Sequence, residues 1–129
     1  AQRQLLTITG VGAQASALLC SLLTRLHFAN ADALVAFSGL DPRPNDSGRS
    51  RGKRRLSKRG SPDLRRQMYL AAMSASHSKV FSPLYRQLRS RGLTTTEALV
   101  VLARKLLRVA FAVWSSGKPF DPEKLTAAA

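Results

Sequence analysis

A hydroxyl set among cations is the first feature that could do chemistry. Ser47 stands between Asp46 and Gly48, and Arg49, Arg51 and Lys53 follow it closely. A serine that attacks a phosphodiester needs room for in-line approach, positive charge for the phosphorane-like transition state, and a group to take its proton. Gly48 allows the approach. Arg49, Arg51 or Lys53 can supply the charge, and Asp46 or a group from elsewhere can take the proton. Ser50, Ser57 and Ser61 compete on the same argument, although a helix cap explains Ser61 better.

The serine sits in a longer basic run, Asp41 to Gly60. Its cations are Arg43, Arg49, Arg51, Lys53, Arg54, Arg55, Lys58 and Arg59, opposed only by Asp41 and Asp46. Pro42, Pro44, Gly48, Gly52 and Gly60 oppose regular structure. The expectation is a long, mobile loop that orders mainly on its partner, and loops this long inside a compact domain are usually functional. The run leads into Arg65 and Arg66 at the start of a helix. A charge run is often only a solvated face, but a one-signed, glycine-spaced run suits phosphate contact. Base-specific reading is not implied, although arginine can bind guanine edges. The whole chain agrees: 129 residues carry 21 Lys and Arg against 7 Asp and Glu, a formal charge of +14. That excess calls for a polyanionic partner. Nucleic acid is the commonest, because basic side chains displace counterions from phosphates; a membrane surface is the competitor.

A second constellation lies upstream. Leu5 to Ser16 read LLTITGVGAQAS, which resembles a helix-hairpin-helix: an apolar residue, Gly10 and Gly12 around Val11, then the small Ser16. The glycines let the backbone turn tightly. The first amides of the next helix then point outward, where they can hold a phosphate without reading sequence. Ser16 lets two helices approach. The alternative is an interhelical turn that touches nothing.

Other chemistries find less support. Asp32, Asp41, Asp46, Asp63, Glu97, Asp121 and Glu123 are scattered, and His27 and His77 lack partners at metal-ligand spacing, so no metal site and no cofactor are expected in this chain. Cys20, the single cysteine, reads as a small buried hydrophobe. No apolar run is long enough to cross a bilayer, and no signal-peptide pattern opens the chain. A cytoplasmic protein without a membrane partner is expected. The chain enters an apolar pattern directly after Ala1-Gln2-Arg3, as a fragment with an upstream part elsewhere would.

The elements that must position these residues are helical. Ala13 to Leu26 has apolar residues at helical spacing. Asn30 can cap a short helix over Ala31 to Phe37, closed by Gly39. Ser61-Pro62-Asp63 is a strong helix start, with the helix reaching about His77. Ser82-Pro83 starts a shorter one that ends near Arg91. Thr94 with Glu97 forms a capping box for the most apolar helix, Thr95 to about Ser115, with Leu99, Leu102, Leu106, Ala110 and Val113 facing the core. Arg104, Lys105 and Arg108 cluster on another side, and the tail from Lys118 is expected to fray. The fold class is all-α, a single domain over 1–129: a helix-hairpin-helix over about 1–27, a basic loop over about 41–60, and a helical bundle over about 61–117.

In order, these segments resemble the C-terminal part of insertion-sequence transposases of the IS110 family, grouped with IS116 and IS902. The resemblance rests on Ile8-Thr9-Gly10-Val11-Gly12, with Thr9 where the family usually has proline, and on Phe28 and Leu34 to Pro42. It continues through Ser47-Gly48, Leu56 to Gly60, Leu64-Arg65, Tyr85 to Gly92 and Ala103 to Leu107. It implies DNA transposition by strand cleavage and exchange. Ser47 matches the family's catalytic serine, which forms a covalent link to a DNA end. It implies an N-terminal resolvase-like domain, absent here, whose acidic tetrad binds a divalent metal (magnesium). It also implies work as a homo-oligomer, and for some members a structured guide RNA. The isolated fragment is then expected to be inactive. The alternative is a non-catalytic helix-hairpin-helix module that binds nucleic acid.

Overall fold

A computed structural model describes residues 2–40 and 61–124 of the chain, and these are all-helical with no strand among them. The helices are α1 (Gln2–Leu5), α2 (Ala13–Arg25), α3 (Ala31–Ser38), α4 (Pro62–Ala75), α5 (Ser82–Ser90) and α6 (Thr95–Ser116). A last helical turn covers residues 122–124.

Local chemistry sets most of the boundaries. The Asn30 side chain accepts the Ala33 amide at 2.9 Å, and Gly39 ends α3 in the left-handed region at φ 79°. Ser61 caps α4 by accepting the Leu64 amide at 3.0 Å, with Pro62 in the first turn. At α6, Thr94 Oγ1 accepts the Glu97 amide at 3.1 Å, and Glu97 Oε1 accepts the Thr94 amide at 2.9 Å. Both orphan amides are thus satisfied, as the sequence predicts. Thr94→Ala is expected to cost about 1 kcal/mol, read as a melting temperature lower by roughly 4–8 °C.

The long helix α6 is the spine. It packs against α1, α3, α4 and α5 and buries Leu99, Leu102, Ala103, Leu106, Leu107, Ala110 and Val113. Opposite it, α4 contributes Leu64, Met68, Ala71, Ala72 and Ala75. Ser16 is fully buried between α1 and α2, where it accepts from Gln2 Nε2 at 3.2 Å and donates to the Ala13 carbonyl at 3.0 Å. Its small size and satisfied hydroxyl let the two helices meet.

Three local features differ from expectation. Cys20 is half-buried, because it lies beside the buried Leu19 and Leu23 rather than among them. Arg108 is not only part of a basic cluster: it pairs with Asp32 across α6 and α3. Of the tail expected to fray, residues 118–124 fold back on the body, and the rest lies outside the described residues. Phe120 stacks on the buried Phe81, ring centroids 6.0 Å apart, and its amide donates to Thr7 Oγ1 at 2.8 Å. An aromatic ring with an apolar seat and a satisfied amide has little reason to leave.

Candidate nucleic-acid interface

Gly10 and Gly12 play different parts in the turn between α1 and α2. Gly10 holds φ +92°, and a Cβ placed there would lie 2.8 Å from both the Ala71 carbonyl oxygen and the Ala75 Cβ. Its missing side chain is what lets the turn rest on α4. Gly12 has an ordinary extended backbone, φ −98° and ψ −165°. A Cβ there would meet nothing within 4 Å, so neither packing nor conformation requires a glycine. It occupies the N-cap of α2, where no side chain caps the helix. The first amides of α2 therefore lack intrahelical acceptors, and the positive end of the helix dipole faces the same way.

These amides border a shallow hollow lined by Gly10, Gly12, Ala13, Gln14, Ala15, Gln67, Leu70 and Ala71. Gln67 Nε2 reaches Gln14 Oε1 at 3.4 Å across it. A second hollow is lined by Leu40, Pro62, Asp63, Arg65, Arg66, Tyr69, Leu70 and Val100. Leu70 lines both, and half of it is exposed (50%). The glycine turn and the two arginines thus lie along neighbouring stretches of α4.

Arg65 and Arg66 differ in their tasks. Arg65 is half-buried, with its guanidinium lying over Gly39 at the C-terminus of α3. A cation at that end is favoured by the helix dipole, so Arg65 has a structural role whatever else it does. Arg66 is 70% exposed and pairs with Asp63 at 3.5 Å, a surface pair that holds it only weakly.

The ends of the basic run meet here. The Ser61 amide donates to the Phe37 carbonyl at 2.9 Å, and Leu40 is buried. Residues 40 and 61 are thereby fixed beside the second hollow. Arg43, Ser47, Arg49, Arg51, Lys53, Arg54, Arg55, Lys58 and Arg59 lie outside the described residues. Sequence reasoning missed Gln14, Gln67 and Leu70. The spacing of Arg66 and Leu70 puts both on one face of a helix, and an exposed leucine next to a cation was the available signal.

Among the described residues, no group of three or more His, Cys, Asp and Glu could hold a metal ion. They do not fit the divalent metal implied for the family. No helix among them is long and apolar enough to cross a membrane.

Comparison with known proteins supplies the remaining observation. A family model described as Transposase IS116/IS110/IS902 family matches residues 2–86. The "Insertion element IS900 uncharacterized 42 kDa protein" of Mycobacterium paratuberculosis is 36% identical over 103 residues, covering 79% of this chain and 26% of that protein. The "Insertion element IS110 uncharacterized 43.6 kDa protein" of Streptomyces coelicolor is 33% identical over 120 residues, 91% of this chain and 29% of its own length. The "Pilin gene-inverting protein" of Moraxella bovis is 29% identical over 121 residues, 91% of this chain and 38% of its own length. The chain thus spans between about a quarter and two fifths of the relatives it matches.

Proposed function

Because this chain belongs to the Transposase IS116/IS110/IS902 family, we propose that it is the DNA-contacting, serine-bearing part of a transposase that acts by strand cleavage and exchange. One observation carries the DNA contact. The open amides at Gly12, the arginines of α4 and both ends of the basic run share a wall on α4. A phosphate backbone laid along it would meet the Gly12 end of α2 as a helix-hairpin-helix does, and then Arg65 and Arg66. The basic run, from Arg43 to Arg59, would extend the contact. These contacts position DNA and carry no sequence information.

Chemistry is assigned to Ser47. Its Oγ attacks a DNA phosphorus, a sugar oxygen leaves, and the serine proton passes to a base. The divalent metal belongs, in this reading, to an acidic domain outside this chain, and no step assigned to this chain runs through it. The whole protein works as a homo-oligomer in the cytoplasm, with a structured guide RNA in members that use one. The isolated chain binds DNA and cuts none. The Moraxella relative's printed role, inverting a gene segment, is in keeping with strand exchange.

Gly12→Asp tests the DNA contact. Aspartate is a better N-cap than glycine and its charge suits the helix N-terminus, so the melting temperature should hold or rise. Duplex affinity should fall roughly tenfold at low salt, since the carboxylate occupies and repels the phosphate site. Fluorescence anisotropy with labelled duplex reads the change. A more stable protein with unchanged affinity would remove this turn from the interface. The wild type should lose affinity steeply as salt rises; a flat response would sink nucleic-acid binding altogether.

A further inference from the structure

The tail that folds back over α6 leaves a cleft that the DNA surface above does not use. It holds about 220 Å³ and is lined by α6 and the tail. Val109, Ala112, Val113, Pro119 and Phe120 form its apolar walls. Lys105, Arg108, Lys118 and Lys124 surround them, opposed by Asp121 alone among the lining residues. Arg108 is engaged with Asp32. Lys105, Lys118 and Lys124 have no carboxylate partner among the described residues.

We propose that this cleft takes one unpaired nucleotide of single-stranded DNA. The occupant must be anionic, because these three lysines ring the walls. It must also be partly apolar and thin. The cleft is small, about 220 Å³, and open to solvent: a helix about 10–12 Å across lies over its mouth, whereas a single planar base enters. Phe120 supplies the aromatic surface: one face rests on Phe81 at an interplanar angle of 11°, and the ring remains partly exposed on the cleft wall. An aromatic platform beside cations is the arrangement that binds unpaired nucleotides without regard to sequence.

The walls offer nothing specific to ribose. Ser116 is the one neutral polar side chain lining the cleft. It is engaged locally, its hydroxyl lying 3.5 Å from the Val113 carbonyl and accepting the Lys118 amide at 3.1 Å. Asp121 Oδ1 already accepts the Glu123 amide at 3.0 Å. A 2′-hydroxyl would find no free neutral polar side chain there. Strand exchange leaves DNA transiently unpaired, so such a site would hold a strand between leaving one duplex and entering another. The cleft shares with the proposed function only the premise that this family works on DNA.

The test uses the whole chain carrying Gly12→Asp, so that the surface proposed above is already weakened, with a short fluorescein-labelled oligothymidylate as probe. Phe120→Leu keeps an apolar cover on Phe81 but removes the aromatic face. It should weaken single-strand binding about fivefold or more, and Phe120→Tyr should restore it. Lys105→Gln with Lys118→Gln and Lys124→Gln should lower the slope of log affinity against log salt by about 0.7–1.4, at roughly 0.7 for each of the one or two phosphates flanking the nucleotide. The lysine variant leaves Phe120 on Phe81, so it decides the matter even where Phe120→Leu loosens the tail. Unchanged affinity and slope in both variants would overturn the proposal. So would equal weakening by Phe120→Leu and Phe120→Tyr, or tighter binding of oligouridylate than of oligothymidylate. Failure here leaves the response of duplex DNA to Gly12→Asp intact, and the two readings stay distinguishable.

Discussion

In the full-length protein, Ser47→Ala is expected to bind DNA within about twofold of the wild type and to form no covalent protein–DNA adduct. The loss should be complete rather than partial, because alanine offers no oxygen to phosphorus. Positioning and charge stabilisation by neighbouring arginines cannot replace a missing nucleophile. Binding should survive because phosphate contact is spread over many cations, and removing a neutral hydroxyl alters none of them. The measurement is a denaturing gel of protein incubated with labelled element-end DNA, where an adduct migrates as a shifted band. Ser50→Ala and Ser57→Ala should retain the band. A band from Ser47→Ala would assign the attack to another residue. A wild-type protein that binds element ends and never forms the band would favour a binding module without this chemistry.

Gly10→Ala should destabilise the domain severely for the addition of a single methyl group. Two costs combine. A side chain at φ +92° is held in a left-handed conformation worth about 1–2 kcal/mol. The added carbon also overlaps the Ala71 carbonyl oxygen and the Ala75 Cβ, both at 2.8 Å. One is backbone and the other a methyl on backbone, so neither can swing aside, and overpacking of this kind costs about 1–3 kcal/mol. The melting temperature should fall by roughly 10 °C or more, read by circular dichroism at 222 nm. Gly12→Ala, two residues away in open space, should shift it by far less. Equal effects at the two glycines would contradict the close approach of the turn to α4.

The two glycines also show what a sequence can convey. Gly-Val-Gly marks a turn, but it does not say which glycine is needed for packing. Gly10 answers to Ala71 and Ala75, partners more than sixty residues along the chain, while Gly12 answers to nothing on the described surface. Features set by neighbours in sequence were legible: the Asn30 and Ser61 caps, the capping box at Thr94, and the glycine closing α3. Features set by distant partners were not. Asp32 with Arg108, Thr7 with the Phe120 amide, and Phe120 on Phe81 each join segments with no local signal for the other. For the candidate site, charge and spacing singled out Arg65 and Arg66 at the start of α4. They could not reveal that Arg65 also lies over the end of α3.

The bond from the Ser61 amide to the Phe37 carbonyl has an evolutionary consequence. It closes the helical body on itself, so residues 41–60 depart from and return to nearly one point. Chain inserted between fixed neighbouring ends changes the closure entropy only slowly, by about 0.6 kcal/mol for each doubling of length. The stretches on either side of Ser47 can therefore lengthen or shorten at little cost to the body. The body thus acts as a socket, and the spacing around the serine can change without re-solving the folding problem each time.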